Sequence, residues 1–227
     1  MSWSKKVGHD RIKKILQKSI IDNRIPHSYL FIGIEGIGKD AIAIEFAKAV
    51  NCLNPIMGVD LFEACDNCKS CKMFDNLSHS NFELIFSLPA GKSGDSKSDS
   101  AIDKLSEDQI TEIKEQIELK AENNYHRFAI SNATQIRVNL VRELKKKLAL
   151  TQNTTGRRVI LICNADEMNS EASNAFLKTL EEPQDNVTII LTTAKPDSIL
   201  PTIQSRCQVL KFGILDQKQI AQKLVID

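Results

Sequence analysis

The stretch FIGIEGIGKD, Phe31–Asp40, decides the fold. Gly33, Gly38 and Lys39 satisfy the spacing G-x-x-x-x-G-K, with Gly36 as a further glycine inside it. Ahead of it SYLFIG, Ser28–Gly33, is a short apolar strand-like run, and behind it AIAIEFAKAV continues as a helix. Strand, glycine-rich turn and helix in that order build a phosphate-binding loop. The glycines let successive backbone N–H groups converge on phosphate oxygens, the helix N-terminus adds positive potential, and the lysine reaches the terminal phosphates. The next residue of such a loop supplies a hydroxyl to magnesium. Here it is Asp40, whose charge at about 4 Å from a phosphate and an effective dielectric near 20 is repelled by roughly 4 kcal/mol. A carboxylate can also ligate magnesium, so Asp40 alone weakens an ATPase reading without ending it.

The second acid site of a nucleotide-hydrolysing sheet belongs at the end of a buried strand. RRVILIC, Arg157–Cys163, is such a strand by its continuous apolar run. Its end carries Cys163 and Asn164 in place of an Asp-Glu pair. Asp166 and Glu167 come three residues later and read as a solvated turn before the next helix. Both magnesium-handling positions are therefore altered, which argues against hydrolysis by this chain.

Further strands are expected at FELIF from Phe82, HRFAI at His126–Ile130, NVTIILTT at Asn186–Thr193 and CQVLKF at Cys207–Phe212. Helices are expected from the spacing of Ile12, Ile15, Leu16 and Ile20, ending near Pro26, and around Leu140–Leu150. A Ser106/Gln109 capping box opens a helix through about Ala121. Ser170 caps SEASNAFLKTLEEP, which Pro183 stops. Strands alternating with helices imply a parallel sheet covered on both faces, a three-layer α/β fold. The polar run Gly91–Ser100 reads as a surface loop. After Gly213, LDQKQIAQKLVID is one amphipathic helix with nothing to pack on, as if the chain were cut just inside a second, helical domain.

Composition sets the broad class. The chain has 227 residues, 42% hydrophobic and 26% charged, with a formal net charge of +1. One sizeable core fits that length, and the net charge argues neither for nor against a nucleic-acid partner, since a near-neutral total can hide a local basic patch. No run approaches the roughly 18 apolar residues of a membrane span, and the start lacks a signal-peptide core, so a cytoplasmic location is expected. Lys145–Lys147 is a short basic run that reads as a solvated helix face.

Six cysteines in a reducing compartment are not expected to form disulfides. Cys52, Cys65, Cys68 and Cys71 follow C-x12-C-x2-C-x2-C in an excursion after the loop helix, at about residues 52–75. Closely spaced thiolates suit tetrahedral zinc, and four sulfurs leave no open coordination position, which points to one structural ion. Cys163 and Cys207 fall on expected strands and read as ordinary buried thiols. Arg206, in SRC just before the last strand, stands at a sheet edge where a planar cation could reach a neighbouring molecule.

Taken in order, HSYLF-GIEGIGKD, the four-cysteine excursion, VRELKKKL, VILICNADEMNSEASNAFLKTLEEP and ILTTAKPDSILPTIQSRC resemble the clamp-loader subunits of bacterial DNA polymerase III. The resemblance spans nearly the whole chain apart from the polar loop near 91–104. It implies a RecA-like AAA+ domain over residues 1–212 and the start of a helical lid domain at 213–227, with the family's collar domain missing. In that family the γ/τ subunits are active ATPases, whereas δ′ members have degraded magnesium motifs and keep the SRC arginine. The departures at Asp40, Cys163 and Asn164 are similar to δ′. The resemblance thus implies a stator that binds γ/τ and δ subunits, donates Arg206 to a neighbouring ATP site, and helps place the sliding clamp on primed DNA. Thr192 and Thr193 fall where active relatives sense the γ-phosphate. Whether the loop still holds ATP or ADP is left open by the residues, and an active γ/τ-type ATPase using Asp40 as a magnesium ligand is the alternative.

Overall fold

A computed structural model describes residues 3–90, 101–150 and 155–215. In chain order the elements are α1 (Asp10–Ile21), β1 (Ser28–Ile32), α2 (Lys39–Val50), β2 (Ile56–Met57), β3 (Phe62–Glu63), α3 (Lys69–Asp75) and β4 (Phe82–Ile85). There follow α4 (Glu107–Glu122), α5 (Val138–Leu150), β5 (Arg158–Ile162), α6 (Ser170–Glu181), β6 (Val187–Thr193), α7 (Pro201–Gln204) and β7 (Gln208–Lys211). Among the described residues β4, β5, β6, β1 and β7 pair in that order into a parallel five-stranded sheet.

Strand periodicity explains the layering. Successive side chains of a strand point to opposite faces, so Tyr29, Phe31, Val159, Leu161 and Ile190 join one core with Ile12 and Leu16 of α1 and Ile42 and Phe46 of α2. Leu30, Ile160, Ile162, Ile189 and Leu191 join the other, with Val141 and Leu144 of α5 and Phe176 and Leu180 of α6. β5 is buried at every position, as its unbroken apolar run requires. This is the expected three-layer α/β fold. No helix among the described residues is long and apolar enough to cross a membrane.

The capping box forms as expected: Ser106 and Gln109 bond each other's backbone N–H, and α4 runs on to Glu122. At α6 the cap is Asn169 instead of Ser170, its side chain accepting from Ala172 N–H at 2.8 Å. Either residue suits an N-cap, and the helix starts one residue earlier than expected.

The strand expected at His126–Ile130 does not form. A strand needs a backbone partner, and here α4 side chains take that role. Gln116 Oε1 accepts from Ala129 N–H at 2.9 Å and Glu112 Oε1 from Ser131 N–H at 2.8 Å. The segment crosses the carboxyl ends of the strands, with Phe128 stacked on Phe86 at 4.0 Å. Asp166 and Glu167 are not a solvated turn either. They form a short helical turn closed back on the sheet, where Asp166 accepts from Thr193 Oγ1 at 2.7 Å and Glu167 accepts from Ser87 and from Asn164. The polar loop Gly91–Ser100 and the helix expected after Gly213 lie outside the described residues, apart from the first residues to 215.

Candidate functional site

The loop between β1 and α2 lies at the carboxyl ends of the strands, where open α/β sheets bind ligands. Gly38 has φ +100°, which only glycine adopts without strain, and a Cβ there would meet the Tyr125 ring at 2.9 Å. Gly33, Gly36, Gly38, Lys39 and Asp40 are thus brought together as the motif requires. Lys39, however, curls onto its own loop, donating to Gly33 O at 2.7 Å and Ile34 O at 2.8 Å. Burial lowers its pKa, against which Asp40, Glu35 and Asp166 act.

Asp40 is fully engaged. One carboxylate oxygen accepts from Lys120 Nζ at 2.7 Å and the other from Thr192 Oγ1 at 2.9 Å. Cys163 and Asn164 do stand at the end of β5, facing the loop across one cavity. Burial, with Asp40 adding to it, raises the Cys163 thiol well above its ordinary pKa and keeps it neutral. Thr192 Oγ1 in turn accepts from Asn164 N–H at 3.3 Å. The cavity shared by the loop, Lys120, Tyr125 and Arg127 measures about 50 Å³, room for a few waters, whereas small-ligand sites run to about 300–1,000 Å³. A magnesium nucleotide does not fit this set. The first-turn oxygen is taken by an ammonium and the second acid is a neutral thiol.

Lys120, Tyr125 and Arg127 were not foreseeable as site residues. Lys120 meets Asp40 across eighty positions, and no local spacing marks it. Arg127 closes the outer side of the loop by pairing with Glu35.

The four cysteines converge. Cys52 follows α2, Cys65 follows the β2–β3 hairpin, Cys68 caps α3 by accepting from Cys71 N–H, and Cys71 lies in its first turn. Their Sγ atoms lie within 4.8 Å of one another, with Cys52–Cys71 at 3.6 Å, Cys52–Cys68 at 3.9 Å and Cys65–Cys71 at 4.0 Å. A tetrahedron with Zn–S near 2.3 Å has edges of about 3.8 Å, so the donor set fits a zinc ion in geometry and chemistry. Burial works against the Cys68 thiolate, but backbone N–H groups of Cys71 and Leu53 outweigh it and bring the thiol down to about 6. Nearby, Lys48 bonds Asp66 and Asp75, joining α2 to the excursion. Burial opposes its charge, and the two carboxylates more than offset that, raising its pKa.

Arg206 precedes β7, an edge strand. Its backbone is held where Ser28 Oγ donates to Arg206 O at 2.7 Å. Its guanidinium donates to Glu181 Oε1 at 2.8 Å and Thr202 O at 3.0 Å, with side chains 36% and 49% exposed for Arg206 and Glu181. Such an exposed pair holds by no more than about 1 kcal/mol. Lys147, from the basic run on α5, pairs with Glu83.

Comparison with known proteins agrees with this layout. A solved structure of the RuvB Holliday junction branch migration motor of Thermotoga maritima matches 96% of this chain and 49% of that one with a TM-score of 0.50 at 12% identity, a likeness of fold alone. The delta′ subunit of DNA polymerase III from Bacillus subtilis (strain 168) is 28% identical over 215 residues, 95% of this chain and 50% of that protein. The tau subunit from the same organism is 28% identical over 218 residues, 96% of this chain and 30% of that protein. The chain therefore spans half or less of the length of these relatives. A family model described as DNA polymerase III, delta subunit, matches residues 8–216. With a parallel AAA+ sheet, a phosphate loop at its carboxyl edge and a family match over most of its length, the chain belongs to this clamp-loader family of DNA polymerase III.

Proposed function

We propose that this chain is the AAA+ part of a δ′-type clamp-loader subunit, a non-hydrolysing stator. Residues 1–212 would be its AAA+ domain with a zinc module at about 52–75, and 213–227 the start of a lid domain. The observation that carries the reading is the state of Asp40. Bound by Lys120 and Thr192, and facing Cys163 and Asn164 in place of an acid pair, it leaves no set of oxygens to position magnesium on a γ-phosphate. What survives is Arg206, just before an edge strand, with a weakly held guanidinium. It would swing from Glu181 to an ATP held by a neighbouring γ/τ subunit, where a planar, permanently charged donor stabilises the transition state. Its partners would be the γ/τ and δ subunits and, through the assembled loader, the sliding clamp and primed DNA.

Reconstitution tests this. Arg206→Ala should lower turnover at the site it serves by about 10³-fold, read as a drop in DNA-stimulated ATPase of the complete loader. Lys39→Ala should change it much less, and equal losses from both would overturn the division of labour. The second reading, an active γ/τ-type ATPase, is favoured by the equal identity of the tau relative. Magnesium-dependent hydrolysis by the subunit alone would decide for it.

A further inference from the structure

In a working phosphate loop the residue after the lysine faces a divalent cation that arrives with the nucleotide. In this chain the cation is covalently part of the protein. Lys120, in the last turn of α4, is 1% exposed at its side chain. Of the three donors an ammonium has, one goes to Asp40 Oδ2 at 2.7 Å and one to His126 O at 2.6 Å, and the charge sits 5.5 Å from the centre of the Phe128 ring. A ring face at that distance attracts a cation.

The second carboxylate oxygen of Asp40 accepts from Thr192, at the end of β6. Side chains therefore link α4, the phosphate loop and β6 in one line, where a loaded relative would use metal and phosphate. Around that line the loop is filled by the chain itself. Lys39 is spent on Gly33 O and Ile34 O, Tyr125 lies against Gly38, and Arg127 pairs with Glu35 on the outer side.

We propose that the Lys120 ammonium is a resident replacement for the divalent cation, and that with residues 120–128 it closes the phosphate loop against magnesium nucleotides. This goes beyond the stator role, which needs only the absence of hydrolysis and would survive if nucleotide bound without turnover. The closed geometry is made by the chain's own side chains, and on this proposal Lys120 decides the ligand class of the site.

The test is calorimetric titration of ATP with magnesium chloride, repeated in EDTA, on the unaltered chain and three variants. Lys120→Ala frees Asp40 to ligand magnesium and should raise affinity at least tenfold, with the gain abolished by EDTA. Asp40→Ser combined with Lys120→Ala removes both charges and restores a hydroxyl, and should gain at least as much. Lys120→Arg keeps a cation in place and should stay as closed as the unaltered chain. Circular dichroism checks folding, and if Lys120→Ala alone does not fold, the paired variant decides. Binding of magnesium ATP by the unaltered chain as tightly as by the variants would overturn the proposal. So would a folded paired variant with no gain, or an Lys120→Arg chain as open as Lys120→Ala.

Discussion

The phosphate loop and the four-cysteine turn stand at opposite ends of one helix, α2, and balance charge in opposite ways. At its N-terminal end a carboxylate is matched by the chain's own ammonium, Lys120, within hydrogen-bond distance and largely out of water. At its C-terminal end four thiols converge, and Lys48, the buried cation of that region, is already committed to Asp66 and Asp75. The first cluster is complete in itself. The second is a four-sulfur donor set that fits a cation the chain itself does not supply. The contrast is between a carboxylate matched by the chain's own ammonium and, a helix-length away, a donor set suited to a metal ion.

A substitution in the four-cysteine donor set should have the greatest consequence. Cys71 is buried at the centre of the thiol cluster, and Cys71→Ser should unfold the excursion at 52–75. Zinc-binding free energies in small structural sites are on the order of 10 kcal/mol, so the loss should exceed that of any other single change discussed. Elemental analysis should find one zinc per chain in the unaltered protein and a strong chelator should lower its melting temperature. Zinc-free protein with four freely titrating thiols and an unchanged melt would remove the contrast altogether.

Next in size is the internal pair. Lys120→Ala leaves Asp40 uncompensated, and breaking a fully buried ion pair costs about 3–5 kcal/mol. Asp40 retains 23% exposure, so roughly 2–3 kcal/mol is expected by denaturant titration. Adding Asp40→Ser should recover most of it, since no orphaned charge remains. Failure of that recovery would mean that Lys120 matters for packing and not for charge. Arg127→Ala provides the smallest effect. Its pair with Glu35 is exposed on both sides, and less than about 1 kcal/mol should be lost.

Legibility from sequence followed distance along the chain. The capping box of α4, the phosphate loop and the Cys65–Cys68–Cys71 turn each lie within a few residues, where spacing dictates geometry. The buried strands β5 and β6 were legible from unbroken apolar runs, because a strand covered on both faces has no polar alternation to confuse the reading. His126–Ile130 had strand-like composition, yet Ala129 N–H and the following Ser131 N–H found Gln116 and Glu112 instead of a strand edge. Asp166 and Glu167 looked solvated because their partners, Thr193 and Ser87, are far away in sequence.

By itself the sequence determined which chemistry was available: a glycine turn that points N–H groups at one place, a four-sulfur donor set, and an Asp and a Cys where magnesium ligands belong. These are properties of residue type and short spacing, which covalent geometry translates directly into structure. Only the tertiary structure decided how that chemistry is used. The packing of α4 delivers Lys120 to Asp40, the path of 123–128 fills the loop, and the approach of α6 to β7 gives Arg206 its resting place on Glu181. Such meetings depend on how helices settle against a sheet, and no periodicity in a single chain encodes which distant charge will arrive.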